Sequence, residues 1–229
     1  MKKIGLLIIA FLFFQCKAII NEENEENSTI QVDDELKSVE LVGAPFNKIE
    51  DREKELNLKF EFLTIEKHQL STNNNKRLEL IVEKIKDWND PGDFHKIRIR
   101  NQKEEFVFFN SFGWVSIGAY QSQFIKSFSE NNEIKSSSIY VLKASEKDIL
   151  LFAFGYVYGS QPGLLSIINL SRYDEPILIF NDNFNLYSLE DLNGNGVIDI
   201  IVTKLEQGKI ITNNDLKTYF LKNGGYQTK

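Results

Sequence analysis

The alternation of apolar and polar positions predicts a body built mainly of β-strands. Residues 56–62 and 95–100 alternate strictly, which gives each segment one apolar and one polar face. Residues 148–158 form an almost continuous apolar run, which indicates a strand buried on both faces. Further apolar segments, bounded by Asn, Asp, Gly or Pro, follow the spacing of an antiparallel meander: residues 78–82, 106–108, 164–170, 177–180, 184–189, 198–203 and 218–221.

Helical spacing occurs once within this body, in a group of four residues: Tyr120, Phe124, Ile125 and Phe128. No linker rich in Pro, Gly or Ser divides residues 41–229, so we expect a single domain there. The predicted fold class is all-β, a mainly antiparallel meander with one short helix. Its sheets can be arranged as propeller-like blades or as a sandwich.

The N-terminus carries the clearest targeting signal. Lys2 and Lys3 precede an apolar run over residues 4–14, which has the length of a signal-peptide core and is short for a membrane span. The run is followed by Cys16, the one cysteine in the chain. This arrangement resembles bacterial lipoprotein signals, in which that cysteine is acylated and becomes the mature N-terminus. The resemblance implies a signal peptide over residues 1–15 and a lipid anchor in the cell envelope, with the outer membrane favoured.

Two alternatives to lipidation stay open, namely an ordinary cleaved signal with a stray cysteine and an uncleaved anchor. Residues 16–40 are predicted to be a disordered tether, because residues 21–40 hold eight acids and one lysine. Most of the chain's formal charge of −6 belongs to this tether. A chain without a basic surface excludes nucleic acid as the expected partner.

The stretch from Asp191 to Asp199 carries the most specific chemistry. Oxygen atoms suited to a hard cation fall at alternate positions: the side chains of Asp191, Asn193, Asn195 and Asp199, and the carbonyl of Val197. Gly196 occupies the sixth position, where a calcium loop turns sharply. The twelfth position is Val202, where a helix–loop–helix site would have glutamate, so a strand is expected after the loop.

With its flanks, this stretch resembles an FG-GAP or VCBS-type repeat over residues 184–226. The motif includes residues 187–190 before the loop, 200–203 after it, and 219–225 as the next strand and turn. The resemblance implies propeller-type strands and calcium bound by the five positions named above. With asparagine at two of them, the expected dissociation constant lies in the range of about 10⁻⁴–10⁻³ M. The alternative is a plain hairpin turn made by the two Asn-Gly pairs.

A second candidate site is an aromatic platform for a sugar or a peptide, made by five residues: Trp88, Phe94, Trp114, Tyr156 and Tyr158. The alternative is core packing, since aromatic residues on strands usually pack inside. His68 and His95 are interpreted as surface or strand-end residues, because neither lies in a recognisable catalytic setting.

Charged residues alternate along the segment at 95–100. Lys96, Arg98 and Arg100 share one face of that predicted strand, and Glu104 and Glu105 lie on the returning strand. We interpret these residues as a solvated face with opposite charges paired across a hairpin.

The chain contains no serine nucleophile elbow, phosphate-binding loop or HExxH helix. The sequence therefore favours a non-enzymatic exported lipoprotein that binds a protein or glycan partner or supports an envelope assembly. Its alternatives are a hydrolase acting on polysaccharide and a carbohydrate-binding adhesin. Weakly bound calcium is the one cofactor that the sequence indicates.

Overall fold

The computed structural model describes most of the chain after residue 56: residues 57, 59–72, 76–89, 92–120, 131–156, 162–172, 174–205, 210–222 and 225–228. The predicted signal peptide (residues 1–15) and tether (16–40) lie outside this part. Three of the four residues of the predicted helix, within 121–130, also lie outside it. These features and the domain boundaries therefore stay predictions.

The described residues confirm the all-β class, with mainly antiparallel pairing. The strands are β1 (Phe62–Ser71), β2 (Arg77–Ile85), β3 (Phe94–Arg100), β4 (Glu105–Val115), β5 (Tyr140–Lys143), β6 (Ile149–Gly155), β7 (Leu164–Asn169), β8 (Ile177–Asn183), β9 (Asn185–Glu190), β10 (Asp199–Thr203), β11 (Leu216–Lys222) and β12 (Gly225–Thr228). A short 3₁₀ helix, Asn213–Asp215, precedes β11.

The strands follow one another as three four-stranded antiparallel meanders: β1–β4, β5–β8 and β9–β12. The first two meanders form one eight-stranded sheet, because the end of β4 pairs with the end of β6 at Trp114–Gly155 and Val115–Phe154. The third meander is a separate four-stranded sheet in the order β12-β11-β10-β9. Short connections between sequential strands account for this simple up-and-down order.

The middle meander contributes both of its faces to the core. Along β6, Ile149, Leu151 and Ala153 join a cluster shared with β1–β4. The alternate residues, among them Phe152 and Phe154, join a cluster shared with β9–β12. All of β6 is buried, as its apolar run predicts. Each such aliphatic or aromatic side chain stabilises the fold by roughly 1.5–3 kcal/mol, so burial of these two faces holds the three meanders together.

A bulge in β4 lets the first meander join the second. Phe94 pairs with Trp114 whereas Lys96 pairs with Phe109, so extra residues are accommodated in β4. The Asn110 side chain closes this bulge: it accepts a hydrogen bond from the Phe112 N–H at 3.0 Å and donates one to the Gly113 carbonyl at 2.8 Å. Gly113 has a φ of 74°, which favours glycine.

The predicted strand at residues 56–62 is wrong in its bounds. Asn57 and Lys59 are helical, and β1 begins at Phe62. The physical reason is the lack of a partner, since β2 ends at Ile85, which pairs with Phe62. The chain then turns away at Asp87, whose φ is 56°. Alternation alone does not make a strand where no neighbouring strand supplies hydrogen bonds.

Candidate functional site

The candidate cation loop, residues 191–198, connects β9 to β10 at one end of the four-stranded sheet. Asp191 organises it: one carboxylate oxygen accepts the Asn195 N–H at 3.0 Å, and the other accepts the Gly196 N–H at 2.7 Å. Asn193 also accepts the Asn195 N–H, at 3.1 Å, and Asn195 accepts the Val197 N–H at 2.8 Å. The connection is therefore a tight coil held by its own side-chain oxygens.

The far end of the loop is fixed to the core. Asp199 begins β10, is buried, and accepts the Leu192 N–H at 3.0 Å. Ile198 donates its N–H to the Ala144 carbonyl at 2.8 Å, and its carbonyl accepts the Tyr226 hydroxyl at 2.8 Å. Burial, with smaller contributions from the charges of Asp148 and Asp199, raises the pKa of Tyr226, so this hydroxyl keeps its proton at neutral pH.

Four of the five predicted ligand positions lie on this loop, and the fifth, Asp199, begins β10. Two of the four side chains among these positions are neutral amides. Among the described residues, no group of three or more His, Cys, Asp or Glu side chains is placed to hold a metal ion. A cation in the loop would therefore depend on amide and carbonyl oxygens beside Asp191 and Asp199. A carboxylate offers about four lone-pair sites, so the N–H groups that Asp191 accepts leave acceptor capacity for an ion.

A polar cleft of about 520 Å³ lies beside the end of this loop. Its lining consists of Asn131, Asn132, Glu133, Leu142, Lys143 and Ile198. The cleft thus joins the segment before β5, the end of β5 and the last residue before β10. This cleft was not predictable from the sequence, because its three segments lie far apart along the chain and follow no motif.

The structure also contains a hydrogen-bonded cluster around one carboxylate, which the sequence analysis did not predict. Glu66 on β1 accepts hydrogen bonds from three consecutive serine hydroxyls, Ser136 at 2.6 Å, Ser137 at 2.5 Å and Ser138 at 2.7 Å. His68 contacts the same carboxylate at 2.7 Å. The serines lie 70 to 72 residues away along the chain, so their contact with Glu66 was not predictable from spacing. The run of three serines is the one sequence feature that could have indicated this site.

This cluster is suited to holding two segments together. Burial alone would raise the pKa of Glu66, but hydrogen bonds from Ser136, Ser137, Ser138 and His68 outweigh it and lower the pKa to about 2. Four donors occupy the lone-pair sites of one carboxylate. A carboxylate with so low a pKa is a poor general base at neutral pH, since an effective base has a pKa near the working pH.

The interpretation of the Lys96 face as solvated is wrong in part. Lys96 is 1% exposed, and its ammonium lies 2.7 Å from a carboxylate oxygen of buried Glu83, a close ion pair without hydrogen-bond geometry. Phe62 covers this pair, with its ring centre 3.7 Å from the ammonium. Arg98 contacts Glu105 as expected. Phe62 on β1 therefore buries the part of this face that carries Lys96.

His95 lies at the start of β3, so its interpretation as a strand-end residue holds, but it is buried and not on the surface. Its Nδ1 accepts the Ile85 N–H at 3.3 Å, and its ring lies 4.8 Å from that of Trp88, centre to centre. Burial, and to a smaller extent the charge of Lys84, lowers the pKa of His95 to about 4. His95 is thus a neutral packing residue at pH 7, and His68 is a partner of Glu66.

The predicted aromatic platform is not assembled by the described residues. Phe94 and Trp114 are buried in the first core cluster, with ring centres 5.4 Å apart, where no ligand reaches them. Trp88 packs against a different cluster. Tyr156 is 41% exposed, and Tyr158 lies outside the described residues. Core packing, the alternative interpretation, therefore holds for Phe94 and Trp114.

The chain was compared with family models, curated proteins and solved structures. No family model, curated protein or solved structure matches the chain significantly. Within the described residues, no helix combines the length and apolar character needed to span a bilayer. The predicted lipidation site, Cys16, lies outside these residues.

Proposed function

We propose that this chain is an exported, lipid-anchored and non-enzymatic binding module of a bacterial envelope, with a loop at residues 191–199 stabilised by weakly bound calcium. The observation that carries the proposal is the geometry of that loop. Alternate oxygen-bearing residues lie in one tight coil, which Asp191 closes and buried Asp199 fixes to the core. The resemblance to FG-GAP and VCBS-type repeats supports the same assignment.

The roles of other ionisable groups support a binding function over a catalytic one. Glu66 is occupied by four hydrogen-bond donors, and Glu83 lies in a close ion pair with Lys96. His95 is packed in the interior with a pKa of about 4. General acid–base catalysis needs a group that reaches a substrate and has a pKa near the working pH. These four groups stabilise the fold instead.

The anchor is tested by replacing Cys16 with Ser. If Cys16 is acylated, the wild-type chain incorporates labelled palmitate and sediments with membranes, whereas Cys16→Ser does neither. This follows because a covalently attached acyl chain supplies membrane affinity through its buried methylene groups. Membrane association of the wild type without any label would remove the lipoprotein part of the proposal.

The calcium loop is tested by thermal unfolding of the purified chain in calcium and in chelator. An ion that binds only the folded state stabilises it by mass action, by about 1.4 kcal/mol at ten times the dissociation constant. Asp191→Asn and Asp199→Asn remove one of the two formal charges, so we expect each to abolish the calcium increment in Tm. Magnesium should substitute poorly, because it demands a tighter octahedral shell.

A matched control is Asp174→Asn, since Asp174 is an exposed aspartate outside the loop. The control should keep the full calcium increment. Identical wild-type melting curves in millimolar calcium and in chelator would reduce the loop to a structural turn.

A further inference from the structure

The cleft beside the loop presents polar side chains that the fold does not use. Within the part of the chain that the structure describes, Asn131, Glu133 and Lys143 have no hydrogen-bond or ion-pair partner for their side chains. All three are exposed at the cleft. These three exposed groups lie in one cleft and keep their hydrogen-bonding capacity for a ligand.

Asn132 holds the segment before β5, which forms one wall of the cleft. Its side-chain oxygen accepts the Val141 N–H at 2.9 Å and the Ile134 N–H at 3.3 Å, and its amide donates to the Ile139 carbonyl at 3.4 Å. The Glu133 N–H also donates to the Val141 carbonyl at 2.8 Å. These bonds fix the backbone of residues 132–134 against β5, so the segment that carries Glu133 is positioned before a ligand arrives.

The floor of the cleft is apolar. Leu142 is buried, and Ile198 is partly buried. The backbone of Ile198 is fixed on both sides, by Ala144 and by Tyr226. The cleft is mainly polar with two apolar residues, and its volume of about 520 Å³ falls within the usual range of about 300–1,000 Å³ for small-molecule sites.

The available groups define the chemistry of the ligand. Glu133 accepts hydrogen bonds, Lys143 donates them, and the Asn131 amide does both. Their formal charges cancel, so the cleft does not favour a ligand with net charge. A hydroxyl group both donates and accepts. We propose that this cleft is a binding site for a neutral saccharide, whose hydroxyls satisfy these side chains and whose apolar ring face lies on Leu142 and Ile198.

This inference rests on the proposed role as a binding module, and it names the ligand class of that module. The full chain, purified in detergent, is first applied to an array of neutral, acidic and amino-bearing oligosaccharides. The strongest neutral oligosaccharide is then titrated by calorimetry into the wild type and three variants. Glu133→Gln and Lys143→Gln should each weaken binding by about tenfold or more, because each removes a hydrogen bond from a charged group.

The matched control is Lys147→Gln, an exposed lysine in the adjacent β5–β6 turn, which should leave the affinity unchanged. All three side chains are exposed, so the variants should keep the wild-type Tm. Binding only to acidic or amino-bearing glycans, no glycan binding at all, or equal affinity in the four proteins would overturn the saccharide assignment. Palmitate labelling and the calcium increment report on the proposed function separately, and they are unaffected by that outcome.

Discussion

Glu66 and Glu83 of the eight-stranded sheet are held in a different way from Asp191, beside the four-stranded sheet. In the eight-stranded sheet, Glu66 and Glu83 lie inside contacts between strands and segments, where hydroxyls, an imidazole and an ammonium surround them. In the four-stranded sheet, Asp191 lies in an exposed loop, and its hydrogen bonds come from backbone N–H groups of that loop.

The difference shows where binding is possible. Removing a charged group from water is costly unless partners compensate it. The groups around Glu66 and Glu83 compensate this cost, and they leave these carboxylates little room for a ligand. Asp191 remains hydrated, and its backbone contacts orient it without neutralising its charge. The first arrangement contributes stability, and the second leaves a positioned anion that a cation can reach.

The largest expected effect comes from breaking the buried ion pair. Glu83→Gln leaves the Lys96 ammonium uncompensated in the interior, which should lower the free energy of unfolding by about 3–5 kcal/mol. Urea denaturation measures this loss. Glu175→Gln is the control, because the Arg172–Glu175 pair is exposed and should contribute only about 0–1 kcal/mol. Equal losses in the two variants would show that burial of Glu83 has no energetic consequence.

The next effect is a loss of stability in mild acid, caused by His95. Its folded-state pKa of about 4 lies below the unfolded value of 6.5, so the unfolded chain binds the proton first as the pH falls. The stabilisation is fully present above pH 6.5 and is lost progressively towards pH 4, by up to about 3 kcal/mol. Denaturation at several pH values measures the slope, which His95→Gln should flatten in this window.

Glu66 provides a comparison with His95, because its contribution to stability is lost at a lower pH. Its folded-state pKa of about 2 lies below the unfolded value of 4.5, so its contribution is complete above pH 4.5 and is lost towards pH 2. Glu66→Gln should therefore flatten the slope between pH 4.5 and 2. A wild-type slope below pH 4.5 in Glu66→Gln would contradict this assignment.

Local pattern predicted much of the fold, because burial on strands repeats every two residues. The apolar run at 148–158 contains β6, and the oxygen-bearing stretch lies between two strands, as expected. Contacts between distant segments were not predictable in this way. Lys96 is buried because Phe62 packs over it, and Glu66 meets serines from a remote segment. Neither contact follows from the alternation of apolar and polar positions in the sequence.

The candidate site was predictable only as far as it is one continuous stretch. Asp191 and Asp199 were found from their spacing, since all proposed ligands belong to one loop. The cleft brings together Glu133, Lys143 and Ile198 from three segments, and no spacing rule connects them. For the aromatic candidates, the alternative of core packing holds at Phe94 and Trp114, because both lie in the first core cluster.

Calorimetric titration of calcium into the purified chain shows directly whether the Asp191–Asp199 loop binds calcium. We expect one saturable site with a dissociation constant of about 10⁻⁴–10⁻³ M, which Asp191→Asn abolishes. Replacing Asn193 and Asn195 with Asp should tighten binding by about tenfold or more, because ligand charge raises calcium affinity. Absence of saturable heat up to about 10 mM calcium, or an unchanged isotherm in Asp191→Asn, would show that the loop does not bind calcium.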